Sequence, residues 1–199
     1  IKDLKIVTCH LGNGSSIAAV DGGKCLDTSM GVTPLEGIMM GTRCGSIDPA
    51  IIPLIMEKEN LSAREIDAVM NKKSGILGVS QKTSDNRDIE NGAKAGDERC
   101  KLIESMICHQ LVKYIGAYAA AMGGVDAIAF AGGIGENNPH YRKRAADKLA
   151  FLGCSIDDEK NSLRGKEIDI SAPDAKVRML VIPTNEELMI AKDTYELVK

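Results

Sequence analysis

The chain has 199 residues, of which 44% are hydrophobic and 27% are charged, and its formal net charge is −3. This composition is typical of a globular protein with a full core, and the charge gives no support for a nucleic-acid partner. No apolar run of the sequence is long enough to predict a membrane span. The six cysteines include no C-x-x-C pair, so we expect reduced thiols in a cytoplasmic protein. The sequence begins at Ile1 rather than Met, and we expect it to be a piece of a longer protein.

The first predicted elements are antiparallel strands joined by tight turns. Ile6–Cys9 begins the first strand, Gly-Asn-Gly at 12–14 forms the turn, and Ile17–Val20 forms the second strand. We expect positive φ angles in this turn, because Gly and Asn reach them at little steric cost. The polar residues around the turn are His10, Asn13, Ser15 and Ser16. Backbone with so little bulk around it would let a phosphate approach its N–H groups, and an ordinary surface hairpin is the alternative.

A third strand, Cys25–Thr28, is followed by a Gly-rich connection and then by helices. Asp48 is the predicted N-cap of the first helix, with Pro49 at its first helical position. A capping box at 62–65 opens the second helix. The segment 75–87 is predicted to be irregular, because it shows no apolar period.

The second half of the chain alternates helices and strands. Its clearest helix begins at Asp97 and has an apolar residue every four positions, namely Ile103, Ile107, Leu111, Ile115 and Ala119. The elements that follow are a buried strand at 125–130, a loop at 131–137, a helix begun by Asn138 and Pro139, a strand at 177–182 and a final helix capped by Thr184. This order predicts an α/β fold whose mixed sheet has a leading antiparallel β-hairpin and flanking helices.

The segment Gly132–Asn137, GGIGEN, is a second candidate site. It does not match the dinucleotide fingerprint G-x-G-x-x-G, because Asn138 stands where the third glycine belongs. A dinucleotide oxidoreductase is therefore the least favoured function. A nucleotide could still pack flat against backbone that carries no side chains, and the alternative is a strand-to-helix turn that needs flexible residues.

Charged and polar residues elsewhere are candidates for phosphate or metal chemistry. Arg43 lies among small residues, where a guanidinium can stabilise charge that develops on a phosphoryl group, although lone surface arginines are commoner. The polar run 83–88 could bond a ribose or purine, or form a capped turn. If Thr184 is the N-cap, Glu187 reaches back to it and Glu186 is free to hold Mg²⁺ through water. The alternative for Glu186 is a helix-start carboxylate that complements the helix dipole.

Five strings together resemble the acetate kinase family: HLGNGSS at 10–16, DTSMGVTPLEGIMMGTRCG at 27–45, SDNRD at 84–88, GGIGEN at 132–137 and TNEE at 184–187. They cover essentially the whole chain in order, and they resemble the C-terminal half of those enzymes, which belong to the acetate and sugar kinase/Hsp70/actin superfamily. The resemblance implies an RNase-H-like, actin-like ATPase lobe over residues 1–188. It also implies that the terminal helix, over residues 189–199, returns to an N-terminal lobe.

The resemblance also implies the ligands and the site residues. The residues implied to bind ATP or ADP are His10, Leu11, Gly12, Asn13, Gly14, Asp85, Asn86, Arg87, Gly133, Ile134, Gly135, Glu136 and Asn137. Arg43 is implied to stabilise the transition state, and Glu186 is implied to hold Mg²⁺. Asn86 stands where an apolar or aromatic residue is expected against the adenine in some relatives. The acetate pocket and a catalytic His and Asp are implied to lie before Ile1.

The implied reaction is the reversible transfer of the γ-phosphoryl group of ATP to acetate, which gives acetyl phosphate and ADP. We expect a homodimer assembled through this lobe, with no nucleic-acid or membrane partner, and we expect the isolated fragment to be inactive. The alternatives are a propionate kinase, whose same half looks nearly alike, and a non-catalytic module for nucleotide binding or dimerisation. Neither the acyl chain nor the choice between ATP and pyrophosphate as donor follows from this sequence.

Overall fold

The sheet begins with the hairpin that the sequence predicts. The computed structural model describes residues 2–199, and its first strands are β1 (Lys5–Leu11), β2 (Ser15–Asp21) and β3 (Lys24–Thr28). β1 pairs antiparallel with β2, and β2 pairs antiparallel with β3. In β1 the buried residues Val7, Cys9 and Leu11 alternate with partly exposed ones, because successive side chains point to opposite faces of a sheet. The predicted three-stranded opening is confirmed.

Three later strands complete a six-stranded mixed sheet. They are β4 (Ala127–Ala131), β5 (Ile168–Asp169) and β6 (Arg178–Val181). The strand order is β3-β2-β1-β4-β6-β5, in which β4 pairs parallel with both β1 and β6, and β5 pairs antiparallel with β6. His10 of β1 pairs with Ala131 of β4. The hairpin turn and the GGIGEN segment therefore lie at the same end of the sheet.

Helices flank this sheet. Within residues 2–199 they are α1 (Ile51–Glu59), α2 (Ala63–Lys72), α3 (Gly75–Ser80), α4 (Asn86–Lys94), α5 (Glu98–Met122), α6 (Gly132–Asn137), α7 (Pro139–Lys148), α8 (Asp158–Ser162) and α9 (Glu186–Val198). The arrangement confirms the predicted α/β class with a mixed sheet. No residue of α9 is buried. Over the described part of the chain, no helix combines the length and apolar character needed to span a bilayer.

The long helix α5 packs its predicted apolar stripe into the core. Ile103, Leu111 and Ile115 are fully buried there, in one cluster with the apolar residues of β1 and β4. The helix begins where the sequence predicts, because Oδ1 of Asp97 accepts hydrogen bonds from the first free N–H groups. It ends at Gly123, whose φ of 68° is the left-handed conformation that glycine adopts without strain.

The predicted start of α1 was wrong by two residues. The helix begins at Ile51, and Ala50 holds the N-cap position without a side-chain hydrogen bond. Asp48 instead closes a turn ahead of the helix, because its Oδ1 accepts a hydrogen bond from the N–H of Ala50 at 2.9 Å. A short polar side chain satisfies a turn as readily as a helix start, so Asp-Pro did not distinguish the two.

Two glycine-containing segments predicted as irregular or looped form short helices. Part of 75–87 is α3, and the whole of 132–137 is α6. Each begins at a glycine with positive φ that lies against other backbone. A Cβ built at Gly75 would be 2.2 Å from the carbonyl oxygen of Met40, and one at Gly132 would be 2.7 Å from that of Leu11. Close packing, rather than flexibility, therefore requires these glycines. The sequence reading also missed α4, β5 and α8.

Candidate functional site

The turn between β1 and β2 is held by its own side chains. Oγ of Ser15 donates a hydrogen bond to the carbonyl oxygen of Gly12 and accepts one from its N–H group. The expected positive φ angles are absent, because Gly12, Asn13 and Gly14 all lie outside the left-handed region. Gly14 instead allows the side chain of Arg43 to approach the turn closely, since a Cβ built at Gly14 would lie 3.1 Å from Nη2 of Arg43.

Arg43 therefore lies directly against this turn. Its Nη1 donates a hydrogen bond of 2.7 Å to the carbonyl oxygen of Pro34, which fixes one side of the guanidinium. The same connection touches the turn a second time, since the N–H of Gly41 donates to the carbonyl oxygen of Asn13 at 3.1 Å. The fold thus brings the predicted Arg43 to the predicted hairpin across about 30 residues of sequence.

Asp85 and Arg87 form the start of α4. Oδ1 of Asp85 accepts a hydrogen bond from the N–H of Arg87, which makes Asp85 the N-cap of a helix rather than of an isolated turn. Their side chains form an ion pair of 2.6 Å. Hydrogen bonds from Arg87 lower the pKa of Asp85 to about 2, so this carboxylate is ionised at neutral pH.

A buried arginine that the sequence reading missed holds helix α6, the helix formed by the GGIGEN segment, through hydrogen bonds to its backbone. Arg142 of α7 is fully buried, and its Nη1 donates to the carbonyl oxygens of Gly135 and Glu136 at 2.7 and 2.9 Å. Its other nitrogens donate to Asn161 of α8 at 2.7 and 2.8 Å. Burial and the nearby Arg164 lower the pKa of Arg142 to about 10, so the guanidinium is still charged at neutral pH.

The three predicted segments meet at one cavity of about 710 Å³, the main cavity. The predicted residues that line it are Gly12, Asn13, Asp85, Asn86, Arg87, Gly133, Ile134 and Asn137. Four predicted residues line neither this cavity nor the second one described next. Leu11 is buried beneath the turn, Gly135 packs against β1, and Gly14 and Arg43 lie against each other beside the hairpin. Ser84, from the polar run 83–88, also lines the main cavity, and sequence reasoning missed the lining residues Gly41, Ile76, Glu90, Asn138 and Arg164. Among these, Arg164 adds a cation that no motif marks.

A second cavity of about 530 Å³ adjoins the first, because Gly133 lines both. Its other lining residues are His10, Gly132, Glu136, Thr184, Asn185, Glu186 and Glu187. The predicted capping pattern at this point was wrong. Asn185 is the N-cap of α9 and accepts a hydrogen bond from the N–H of Leu188, whereas Oγ1 of Thr184 accepts from the N–H of Gly132. Glu187 therefore does not reach back to Thr184.

The acidic residues of this second cavity supply the carboxylate oxygens that Mg²⁺ prefers as ligands. Glu186 is the first residue of α9 and lines the cavity beside Glu136 and Glu187. Within residues 2–199 no group of three or more histidine, cysteine or acidic side chains is arranged to enclose a metal ion. Mg²⁺ does not need such a cage, because it usually keeps several waters and takes one or two carboxylates together with substrate phosphates.

Comparison with known proteins identifies the family. The model of the acetokinase family matches residues 1–192. The chain belongs to the acetokinase family. It is 62% identical over 198 residues to an acetate kinase of Carboxydothermus hydrogenoformans, a match that covers all of this chain and 50% of that protein. The chain thus spans about half the length of the curated relatives that it matches.

Solved structures agree with the acetokinase assignment. A crystal structure of Porphyromonas gingivalis acetate kinase superposes with a TM-score of 0.95 at 49% identity, covering 100% of this chain and 50% of that one. A propionate kinase from Francisella tularensis superposes with a TM-score of 0.88 at 43% identity, covering 96% and 48%. These likenesses confirm the predicted fold class. They support kinase chemistry at the level of the acetokinase family.

Proposed function

We propose that this chain is the nucleotide-binding, C-terminal half of an acetate kinase, which transfers the γ-phosphoryl group of ATP reversibly to acetate. The observation that carries the proposal is the meeting of three segments at the main cavity. The hairpin turn, the start of α4 and helix α6 are separated along the chain, and each contributes residues to its lining. A cavity of about 710 Å³ falls within the range of small-molecule and cofactor sites.

The chemistry follows from where the charged groups lie. A carboxylate oxygen of acetate attacks the γ-phosphorus, the bond from that phosphorus to the β–γ bridging oxygen breaks, and ADP leaves. Arg43, held against the hairpin turn, donates hydrogen bonds to the equatorial oxygens on which negative charge spreads. Glu186 would hold Mg²⁺ through water, and the bound ion would supply neutralisation of phosphate charge. The reaction then depends on positioning and charge neutralisation rather than on a covalent intermediate.

Calorimetric titration of this chain with Mg-ATP tests the proposal. We expect saturable binding to the wild type and at least about a tenfold loss in Gly133→Trp, because a large side chain would fill the junction of the two cavities. The substitution is compatible with the backbone, since a Cβ built at Gly133 meets nothing within 4 Å and its φ is not positive. Parallel titrations use pyrophosphate and NAD.

Gly116→Trp is the matched control. A Cβ at Gly116 also meets nothing within 4 Å, but the residue lies in α5 and lines neither cavity. We expect this variant to bind Mg-ATP as the wild type does. Binding of pyrophosphate in preference to Mg-ATP would reassign the donor. Equal binding of Mg-ATP to both tryptophan variants would contradict a site at the main cavity.

The acyl acceptor is tested on the full-length enzyme. We propose that the acetate-binding residues and a catalytic His and Asp lie in the other half of the enzyme, as the family resemblance implies. We expect kcat/KM to be at least about tenfold higher for acetate than for propionate, because one methylene group in a fitted pocket changes the free energy of activation by about 1–3 kcal/mol. Steady-state kinetics with both acids measures the ratio. A ratio at or below unity would favour a propionate kinase, the activity for which the similar protein from Francisella tularensis is named.

A further inference from the structure

Asn86 carries a free amide donor at the wall of the main cavity. It is the first residue of α4, beside Asp85, and it lines the cavity. Its Oδ1 accepts a hydrogen bond of 2.9 Å from the hydroxyl of Tyr141. Among residues 2–199, Nδ2 of Asn86 makes no hydrogen bond, and it is not among the buried polar atoms that lack a partner. The amide NH₂ is therefore accessible from the cavity.

Tyr141 determines which end of this amide faces the ligand. The tyrosine lies on α7, is 1% exposed and does not line the cavity. Burial, with Glu104 and other groups nearby, raises the pKa of Tyr141 far above neutral, so its hydroxyl keeps its proton. A buried hydroxyl proton needs an acceptor, and Oδ1 of Asn86 is the acceptor that it has. The oxygen of Asn86 is therefore turned towards α7 and its NH₂ group is left for a ligand.

We propose that Tyr141 is a positioning residue that holds Asn86 so that its Nδ2 donates a hydrogen bond to a ring nitrogen of a purine base in the main cavity. This inference rests on the proposed function, since it takes the ligand to be ATP. The base lies between Asn86 and the backbone of Gly133 and Ile134, which line the same cavity. The amide of Asn86 can donate a hydrogen bond to an acceptor atom of the base, whereas an apolar side chain at the same position cannot.

The test uses ATP analogues in which one ring nitrogen is replaced by C–H: 1-deaza-, 3-deaza- and 7-deaza-ATP. Calorimetry measures the Kd of each for the wild type, Tyr141→Phe and Asn86→Ala. We expect one analogue to bind the wild type about three- to tenfold more weakly than ATP, the effect of losing one hydrogen bond. We expect Tyr141→Phe to weaken ATP by a similar factor and to leave the Kd of that analogue unchanged.

A structural role of Tyr141 would give a different pattern. Loss of packing would weaken ATP and all three analogues by the same factor in Tyr141→Phe, and this result would overturn the proposal. Equal affinity of the wild type for ATP and every analogue would also overturn it. Tyr118→Phe is the control, because Tyr118 is a second buried tyrosine that does not line the cavity.

Two further outcomes separate this inference from the function on which it rests. If Tyr141→Phe does not fold, Asn86→Ala carries the test, because the side chain of Asn86 is not buried in the core. The wild type is expected to prefer ATP to one deaza analogue, and Asn86→Ala should bind the two equally. If Asn86→Ala still prefers ATP to that analogue, the proposal is overturned. Failure of the wild type to bind ATP at all would instead refute the proposed function.

Discussion

Replacing Arg43 by alanine in the full-length enzyme is expected to lower kcat by at least about 100-fold, with little change in the KM for ATP. The reason is that a preorganised charge donor acts mainly on charge that develops in the transition state, and removing one typically lowers the rate by about 10²–10³. Arg43 is preorganised here by its hydrogen bond to the carbonyl oxygen of Pro34 and by its contact with the turn at Gly14. Steady-state kinetics at saturating acetate measures the effect.

Arg99→Ala is the matched control for that experiment. Arg99 also points its guanidinium at a backbone carbonyl oxygen, that of Val79, whereas the guanidinium of Arg43 lies against Gly14 of the hairpin turn. We expect its kcat to equal that of the wild type. Arg43→Lys should recover only part of the activity, since an ammonium group does not reproduce the planar fork of the guanidinium. Turnover near the wild-type level in Arg43→Ala would rule out the proposed role.

Replacing Arg142 by methionine is expected to lower the free energy of unfolding by about 3 kcal/mol, because it leaves buried acceptors unsatisfied. Those acceptors are the carbonyl oxygens of Gly135 and Glu136 and both oxygens of Asn161. Methionine fills much of the same volume, so the loss reports mainly on hydrogen bonds rather than on a void. Urea unfolding followed by circular dichroism gives the difference between variant and wild type.

Arg144→Met provides the comparison within the same helix. Arg144 is half-buried and makes one long hydrogen bond of 3.3 Å to Oγ of Ser105, so we expect a change within about 0.5 kcal/mol. Arg142→Met should also weaken ATP, because α6 loses the anchor beneath Gly135 and Glu136. A stable Arg142→Met variant with wild-type affinity would show that this buried arginine holds neither the fold nor the site.

Regular local patterns were the part of the fold that the sequence predicted well. The stripe on α5 is periodic, and its burial confirms it. Asp97, Asn138 and Gly123 mark helix ends with side chains or backbone that suit those positions, and each prediction is confirmed. Such features depend on residues within a few positions of one another, so they can be predicted from the sequence alone.

The errors arose where distant contacts decide the local structure. Thr184 resembles an N-cap, but its hydroxyl accepts a hydrogen bond from Gly132, 52 residues earlier, and Asn185 takes the cap instead. Gly132 itself reads as a flexible loop residue, whereas the nearby carbonyl oxygen of Leu11 leaves no room for a side chain. Arg142 is an ordinary charged residue in the sequence, and only its burial reveals that it supports α6. None of these contacts has a local signal.

The residues of the candidate site could also be predicted only in part from the sequence. The resemblance to a family pointed to residues in three segments, and most of them line one cavity. Arg164 and Asn138 were missed because no motif includes them, and the orientation of Asn86 depends on Tyr141, 55 residues away. Residue type can suggest that an amide binds a base, but the direction in which the amide donates is a property of its tertiary neighbours.

The parallel pairing of β1 with β4 has a consequence for the order of folding. The N–H of Lys5 donates to a carboxylate oxygen of Asp126, 121 residues away, and the two strands run side by side from there. The hairpin of β1 and β2 can form early, since it closes a short loop, but the pairing with β4 must first overcome the entropy of a very long one. Because the main cavity is lined by both the hairpin turn and α6, its formation requires this least local strand pairing of the sheet. A nascent or truncated chain that ends before Ala127 would carry the hairpin turn without any pocket behind it.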